Sequence, residues 1–244
     1  MSLHVVRQIK TALSHLDPDE VQAEADRPRA IALRATDPAA YAAIEEFLAP
    51  QSLSGARRIE IAGYLYREGD PGTPDPPDLV LCAAGVYPGR EGFTFYSQNP
   101  GKMVDEILDK RKDLQLALAR LFPPFREPVT SELINRVSKE NALFSALTAF
   151  PNVLPSVLSL PWAVGEFASD TAVLTTNQIR LAFLLAAASD RPVGYREQKA
   201  EIASIGAGAF GWRAIARELV GKIPLGGGTI PKAAVAYAGT YVAG

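Results

Sequence analysis

Two histidines, one cysteine and two glycine-rich stretches are the parts of this chain that could do familiar chemistry. His4 and His15 fall on similar sides of an N-terminal helix, but about 16 Å apart along it at 1.5 Å per residue. They cannot share a metal ion or a triad. Without a third histidine, zinc-hydrolase motifs and Ser-His-Asp chemistry have nothing to build on. Cys82 sits inside the most apolar stretch of the chain, LVLCAAGV (79–86), and reads as a buried structural thiol. A single cysteine excludes an intrachain disulfide and a cysteine-rich zinc site. Asp70, Asp75 and Asp78 are separated by prolines, lack the spacing of a calcium loop and are expected to solvate a loop.

Gly101-Lys102 invites comparison with a phosphate-binding loop. The first glycine of that motif would fall at Tyr96, and the closing Ser/Thr at Met103. Gly226-Gly227-Gly228-Thr229 has glycines but no lysine in register. Both read as turns and helix caps. No catalytic residue, metal or cofactor is assigned, and an enzyme is disfavoured.

The most informative polar feature lies on a helix expected over 162–189. At 100° per residue, Glu166, Asp170, Asn177 and Arg180 fall within about 80° of one another on an otherwise apolar helix. Such a stripe must be paired or face water, because isolated charges are costly to bury. One reading is an internal ion-pair network that fixes helix register, with Arg213 or Arg217 taking part. The other is a partner surface or a lined cavity to which Tyr195 also contributes. Arg213 and Arg217, one turn apart beside Trp212, serve packing and pairing, or a phosphate or lipid headgroup.

The elements that would position these residues follow from hydrophobic spacing. Helices are expected at 3–15, from Asp17-Pro18, and from Thr36-Asp37-Pro38 to Leu48. Strands are expected at 29–33, 59–66, 79–86 and 93–96, with 79–86 central and covered on both faces. Helices should follow at 101–122, 129–148, 162–189, 195–220 and 231–244. The fold class is therefore α+β or α/β: a small sheet with helices, followed by an all-helical domain.

A change in charge density marks the expected boundary, giving domains over 1–140 and 141–244. Residues 141–244 carry eight Lys/Arg and six Asp/Glu, and the remainder carries 17 and 21. The net charge of −2 gives no electrostatic case for a nucleic-acid partner. Residues 1–15 lack the apolar core of a signal peptide, and a cytoplasmic location fits. The chain closes on the apolar AYAGTYVAG, so the natural protein is expected to continue beyond Gly244.

Residues 141–165 carry no charge and are long enough to cross a bilayer, but Pro151, Pro155 and Pro161 interrupt them. The uncharged stretches 202–212 and 233–244 are too short. A soluble protein, or one attached peripherally to the inner face of a membrane, is the expected form.

LTTNQ (174–178), KIPLGGGTIPK (222–232) and the Ala/Gly-rich terminal helix carry a resemblance. Across about 100 residues the second half resembles the YcjF-like GTPase-associated membrane domains of bacteria. RAIAL (29–33) and PDLVL (77–81) look like two core strands of a small GTPase. Yet the first strand leads into RATDP (34–38) rather than a glycine-rich loop, and the Asp-x-x-Gly and Asn-Lys-x-Asp motifs are absent. The resemblance implies a degenerate, non-catalytic GTPase-like scaffold or adaptor whose helical half docks a protein partner or a membrane. The alternative is a small-molecule-binding protein or enzyme with a pocket between the halves. A homo-oligomer is a further possibility.

Overall fold

The computed structural model describes residues 16–27, 29–147, 170–208 and 229–244. The helix expected at 3–15, with His4 and His15, lies outside the described residues. The chain divides into two units. Gln22–Thr130 and Ala187–Arg191 form an α/β unit; the described residues 16–21, 131–147, 170–186, 192–208 and 229–244 belong to a helical unit. The dividing points at Val21/Gln22 and Thr130/Ser131 fall inside helices.

Helix α1 (Pro18–Asp26) starts as its sequence dictates, with the Asp17 carboxylate accepting from the Asp19 N–H at 2.9 Å and proline in the first turn. Strand β1 (Ile31–Arg34) follows. The next helix, α2 (Pro38–Leu48), opens on an Asp37 side chain that accepts from Ala40 N.

The stretch expected as a strand over 59–66 is divided. Helix α3 (Gly55–Ala62) takes its first part, and only Leu65–Arg67 forms a strand, β2. Ser54 caps α3 by accepting from Arg57 N, and Arg57 pairs with Glu60 one turn on. Alternation in IEIA thus marks a helix that buries Ile61 completely and leaves Ile59 77% exposed.

Strands β3 (Leu79–Ala83) and β4 (Gly92–Phe95) complete a wholly parallel sheet in the order β2-β1-β3-β4. Ile31 lies opposite both Leu65 and Leu79, and Leu81 opposite Phe93. Central β1 and β3 bury Ile31, Leu33, Leu81 and Cys82, as expected of strands covered on both faces. β4 is an edge strand. It joins β3 through the turn-rich 84–91, without a helix. A Cβ at Gly92 would stand 2.2 Å from the Pro88 carbonyl oxygen, so only glycine fits where β4 begins.

Helix α2 packs on β1 and β3, bringing Phe47 to 5.4 Å from Phe95 between ring centroids. Helix α4 (Pro100–Lys110) packs on β4 through Met103, Val104, Ile107 and Leu108, the spacing of one helical face. The single helix expected over 101–122 is broken at Arg111. A short 3₁₀ turn (Lys112–Leu114) follows, then α5 (Gln115–Leu121). Two of the loop aspartates do more than solvate. Asp70 accepts from Arg67 N at 2.7 Å, and Asp78 accepts from Ala30 N at 2.8 Å beside Arg29, so each fixes backbone.

Helix α6 (Pro123–Leu147) begins six residues before the expected 129, since paired prolines suit a helix start and Pro128 is accommodated in its second turn. The helical unit holds the rest of α6, α7 (Asp170–Ala188) as far as Ala186, a helical stretch over 199–208 and α8 (Thr229–Ala243). None of its described residues is in a strand. The molecule is thus a mixed α/β fold with a helical part. Among the described residues, no helix is long and apolar enough to cross a membrane.

Candidate functional site

Asn177 points from α7 into the interior of the helical unit, 2% exposed. Its amide donates to Asn141 Oδ1 at 2.6 Å, and Asn141 in turn donates to Thr240 Oγ1 at 2.8 Å. Asn141 and Thr240 are buried as completely as Asn177. Gln178 Nε2 approaches the same hydroxyl at 3.4 Å. Three helices, α6, α7 and α8, are therefore tied by one chain of neutral hydrogen bonds. Buried amides require such partners, because an unmatched one forfeits its hydration.

A charged pair lies beside this chain. Arg180, one turn after Asn177, stands 3.9 Å from Glu140, the residue before Asn141. Glu140 Oε2 and the fully buried Ser138 Oγ make no hydrogen bond among the described residues. Nearby, Tyr237 Oη donates to Asn135 Oδ1 at 3.0 Å. A Cβ on Gly244 would meet Ile134 at 2.7 Å and Leu181 at 3.1 Å.

Of the residues singled out in the sequence, Asn177 and Arg180 meet neighbouring residues of α6. Asp170 is the first residue of α7. Tyr195 is engaged elsewhere in the helical unit: its hydroxyl donates to the Leu16 carbonyl at 2.8 Å, and its ring meets Phe183 edge-on at 5.2 Å. Burial raises the affinity of that hydroxyl for its proton, and Asp17 adds to the effect. Glu166, Arg213 and Arg217 lie outside the described residues, as does Gly226-Gly227-Gly228. Asn141, Glu140 and Thr240 were not singled out as site residues. The signal for Thr240 was available: a polar side chain in the apolar AYAGTYVAG of α8.

The carboxyl end of β1 is the other place where chemistry would be sought. The strand order reverses about β1 and β3, and ligands of open α/β sheets bind at such switch points. Here Arg34 Nε stands 3.4 Å from Glu68. The helix N-terminus that follows, a natural seat for phosphate, is capped by the protein's own Asp37 carboxylate, and Pro38 removes a backbone donor. Cys82, in register with Arg34 and fully buried, has its thiol pKa raised, by burial first. That fits the inert thiol read from the sequence.

Among the described residues, no group of three His, Cys, Asp or Glu side chains could hold a metal ion. Comparison with protein-family models, curated proteins and solved structures returned no match.

Proposed function

We propose that this chain is a non-catalytic, GTPase-like scaffold or adaptor whose helical unit docks a protein partner or a membrane surface. The observation that carries the reading is the closed phosphate position after β1. A nucleotide phosphate there would meet the Asp37 carboxylate, which already occupies the helix N-terminus through Ala40 N. Two like charges at one helix start repel, and the Pro38 ring leaves one donor fewer to offset them. The docking half of the reading is supported by side chains that face solvent from α6 and α8: Leu143 at 58% exposure, Tyr241 at 51% and Val242 at 73%. Apolar side chains in water are what a partner or lipid surface covers.

One preparation of the full chain tests both halves. Titration with a fluorescent GTP analogue and magnesium should give no saturable binding; micromolar binding would sink the scaffold reading. Co-sedimentation with anionic vesicles that persists in high salt would assign the docking surface to lipid. Absence of sedimentation at every salt concentration assigns docking to a protein. If the chain then also stays monomeric and L143S/V242S leaves its solubility unchanged, the docking half fails.

A further inference from the structure

Helices α3, α5 and α6 each deliver one guanidinium to the same place in the α/β unit. Arg57 Nη2 lies 3.0 Å from Asp190 Oδ2, Arg126 Nη2 3.7 Å from the same oxygen, and Arg120 Nη1 3.7 Å from Asp190 Oδ1. Asp190 stands in Ala187–Arg191, the short segment returned to this unit, with φ of 58°. Aspartate and asparagine tolerate that left-handed conformation better than most residues.

The arginines are held in place by other groups. Arg57 binds Glu60 at 2.6 Å and the Arg120 carbonyl at 2.7 Å, and Arg120 binds Asp26. Arg126 donates to the carbonyls of Ala119 and Arg120 at 3.1 and 3.2 Å. Their fork geometry therefore does not depend on Asp190. A carboxylate matches them poorly: its two oxygens lie within hydrogen-bond distance of one arginine only. Arg57 Nε and Arg120 Nη1, both buried, have no hydrogen-bond acceptor among the described residues. The crowding of cations is felt by Arg126, whose proton affinity is lowered by burial first and then by Arg57 and Arg120, against the attraction of Asp190.

We propose that Arg57, Arg120 and Arg126 form a phosphoryl-binding site for a small phosphorylated ligand, with Asp190 as its displaceable internal occupant. A phosphoryl group brings three oxygens where the carboxylate brings two, and arginine forks match it bidentately. With Asp190 withdrawn, Asp26 and Glu60 are the carboxylates still paired with the three cations among the described residues, which leaves one positive charge for the incoming anion. The site opens to water, since the side chains of Asp190 and Arg126 keep 28% and 31% of their exposure. The proposal is independent of the scaffold reading: the cluster involves neither the β1 switch point nor the helical unit.

The test titrates the full chain, D190N and D190N/R126A with inorganic phosphate and pyrophosphate by calorimetry, with circular dichroism confirming each fold. Asparagine keeps the left-handed backbone and removes the competing charge. D190N is expected to bind at least about 10-fold more tightly than the parent, and R126A to abolish that gain. In the parent, pyrophosphate should speed amide exchange in Ala187–Arg191 as the aspartate is displaced. Equal affinities for parent and D190N, or no binding by folded D190N at millimolar concentrations, overturns the proposal. If neither aspartate variant folds, the exchange measurement on the parent decides: unchanged protection at saturating pyrophosphate rejects displacement.

Discussion

In the helical unit, three neutral side chains on three helices close a hydrogen-bonded chain from which water is excluded: Asn177, Asn141 and Thr240. In the α/β unit, three guanidinium groups on three helices surround one carboxylate that remains partly wet. Both arrangements knit helices distant in sequence, and their physics differs. The amide chain owes its strength to burial, where each group would otherwise lose hydration without compensation. The arginine cluster owes its strength to charge, which salt and water attenuate. The first fixes one packing of helices; the second leaves a site that another anion can contest.

The sharpest way to break this contrast is Asn141→Leu. It removes two hydrogen bonds, leaving the Asn177 amide buried without its partner and the Thr240 hydroxyl with the long contact to Gln178 at 3.4 Å. A loss of about 2–4 kcal/mol is expected in denaturant unfolding, at about 1–3 kcal/mol per orphaned group. Adding about 0.5 M salt should leave that loss unchanged, because no net charge is involved. Replacing all three (N141L/N177L/T240V) should recover most of the stability, since the three buried groups are removed together and only the half-buried Gln178 loses a contact, one of 3.4 Å. A strong salt dependence in Asn141→Leu would mean that Glu140 and Arg180, not the amides, carry the junction.

Arg57→Ala is the matching change in the other region. It removes contacts to Glu60, Asp190 and the Arg120 carbonyl. The side chain is 16% exposed, so the full cost of breaking a buried pair is discounted to about 2 kcal/mol. Here the difference between parent and variant should shrink as salt rises. If it stays constant, the two regions do not differ in kind.

The sequence exposed the two regions unequally, for a physical reason. Asn177 and Arg180 stood out because a helix of period 3.6 places them on one stripe, and both reach adjacent residues of α6. Asn141 and Thr240 did not stand out, because their meeting spans 99 residues and no local rule specifies it. Arg57 and Asp190 are more distant still. Asp190 lies in the half of the sequence assigned to helices, yet its segment belongs to the α/β unit. Local signals served well where the cause was local. Asp37-Pro38 announced α2, and Asp17-Pro18 announced α1. IEIA misled because a short helix with one buried isoleucine presents the same alternation as a strand. The cap at Ser54, five residues before the strand expected from Ile59, decided the matter.

Ser54→Ala probes that cap, and with it the helix that carries Arg57. The hydrogen bond to Arg57 N is long at 3.3 Å, so a loss near the lower end for cap removal, about 0.5–1 kcal/mol, is expected in thermal unfolding. The loss should be additive with Asn141→Leu, which lies in the other unit, and non-additive with Arg57→Ala. Additivity with both would show that the cap and the arginine act independently, and that α3 does not position its guanidinium.

The smallest effect concerns pH. Asp113 accepts two hydrogen bonds from Arg111, at 3.0 and 2.9 Å, and that pairing holds its pKa below the ordinary carboxylate value. A carboxylate with a depressed folded-state pKa contributes stability above its unfolded pKa, and loses it as pH falls through the folded one. The Asp113 side chain is 63% exposed, so only a few tenths of a kcal/mol are expected after screening. Stability of the parent should therefore decline below about pH 4 slightly more steeply than that of Asp113→Asn. The same measurement on Asn177→Leu should give an acid limb parallel to the parent's, because the amide chain holds no proton that titrates there. A flattened limb in Asn177→Leu would show that the helical unit too is governed by charge.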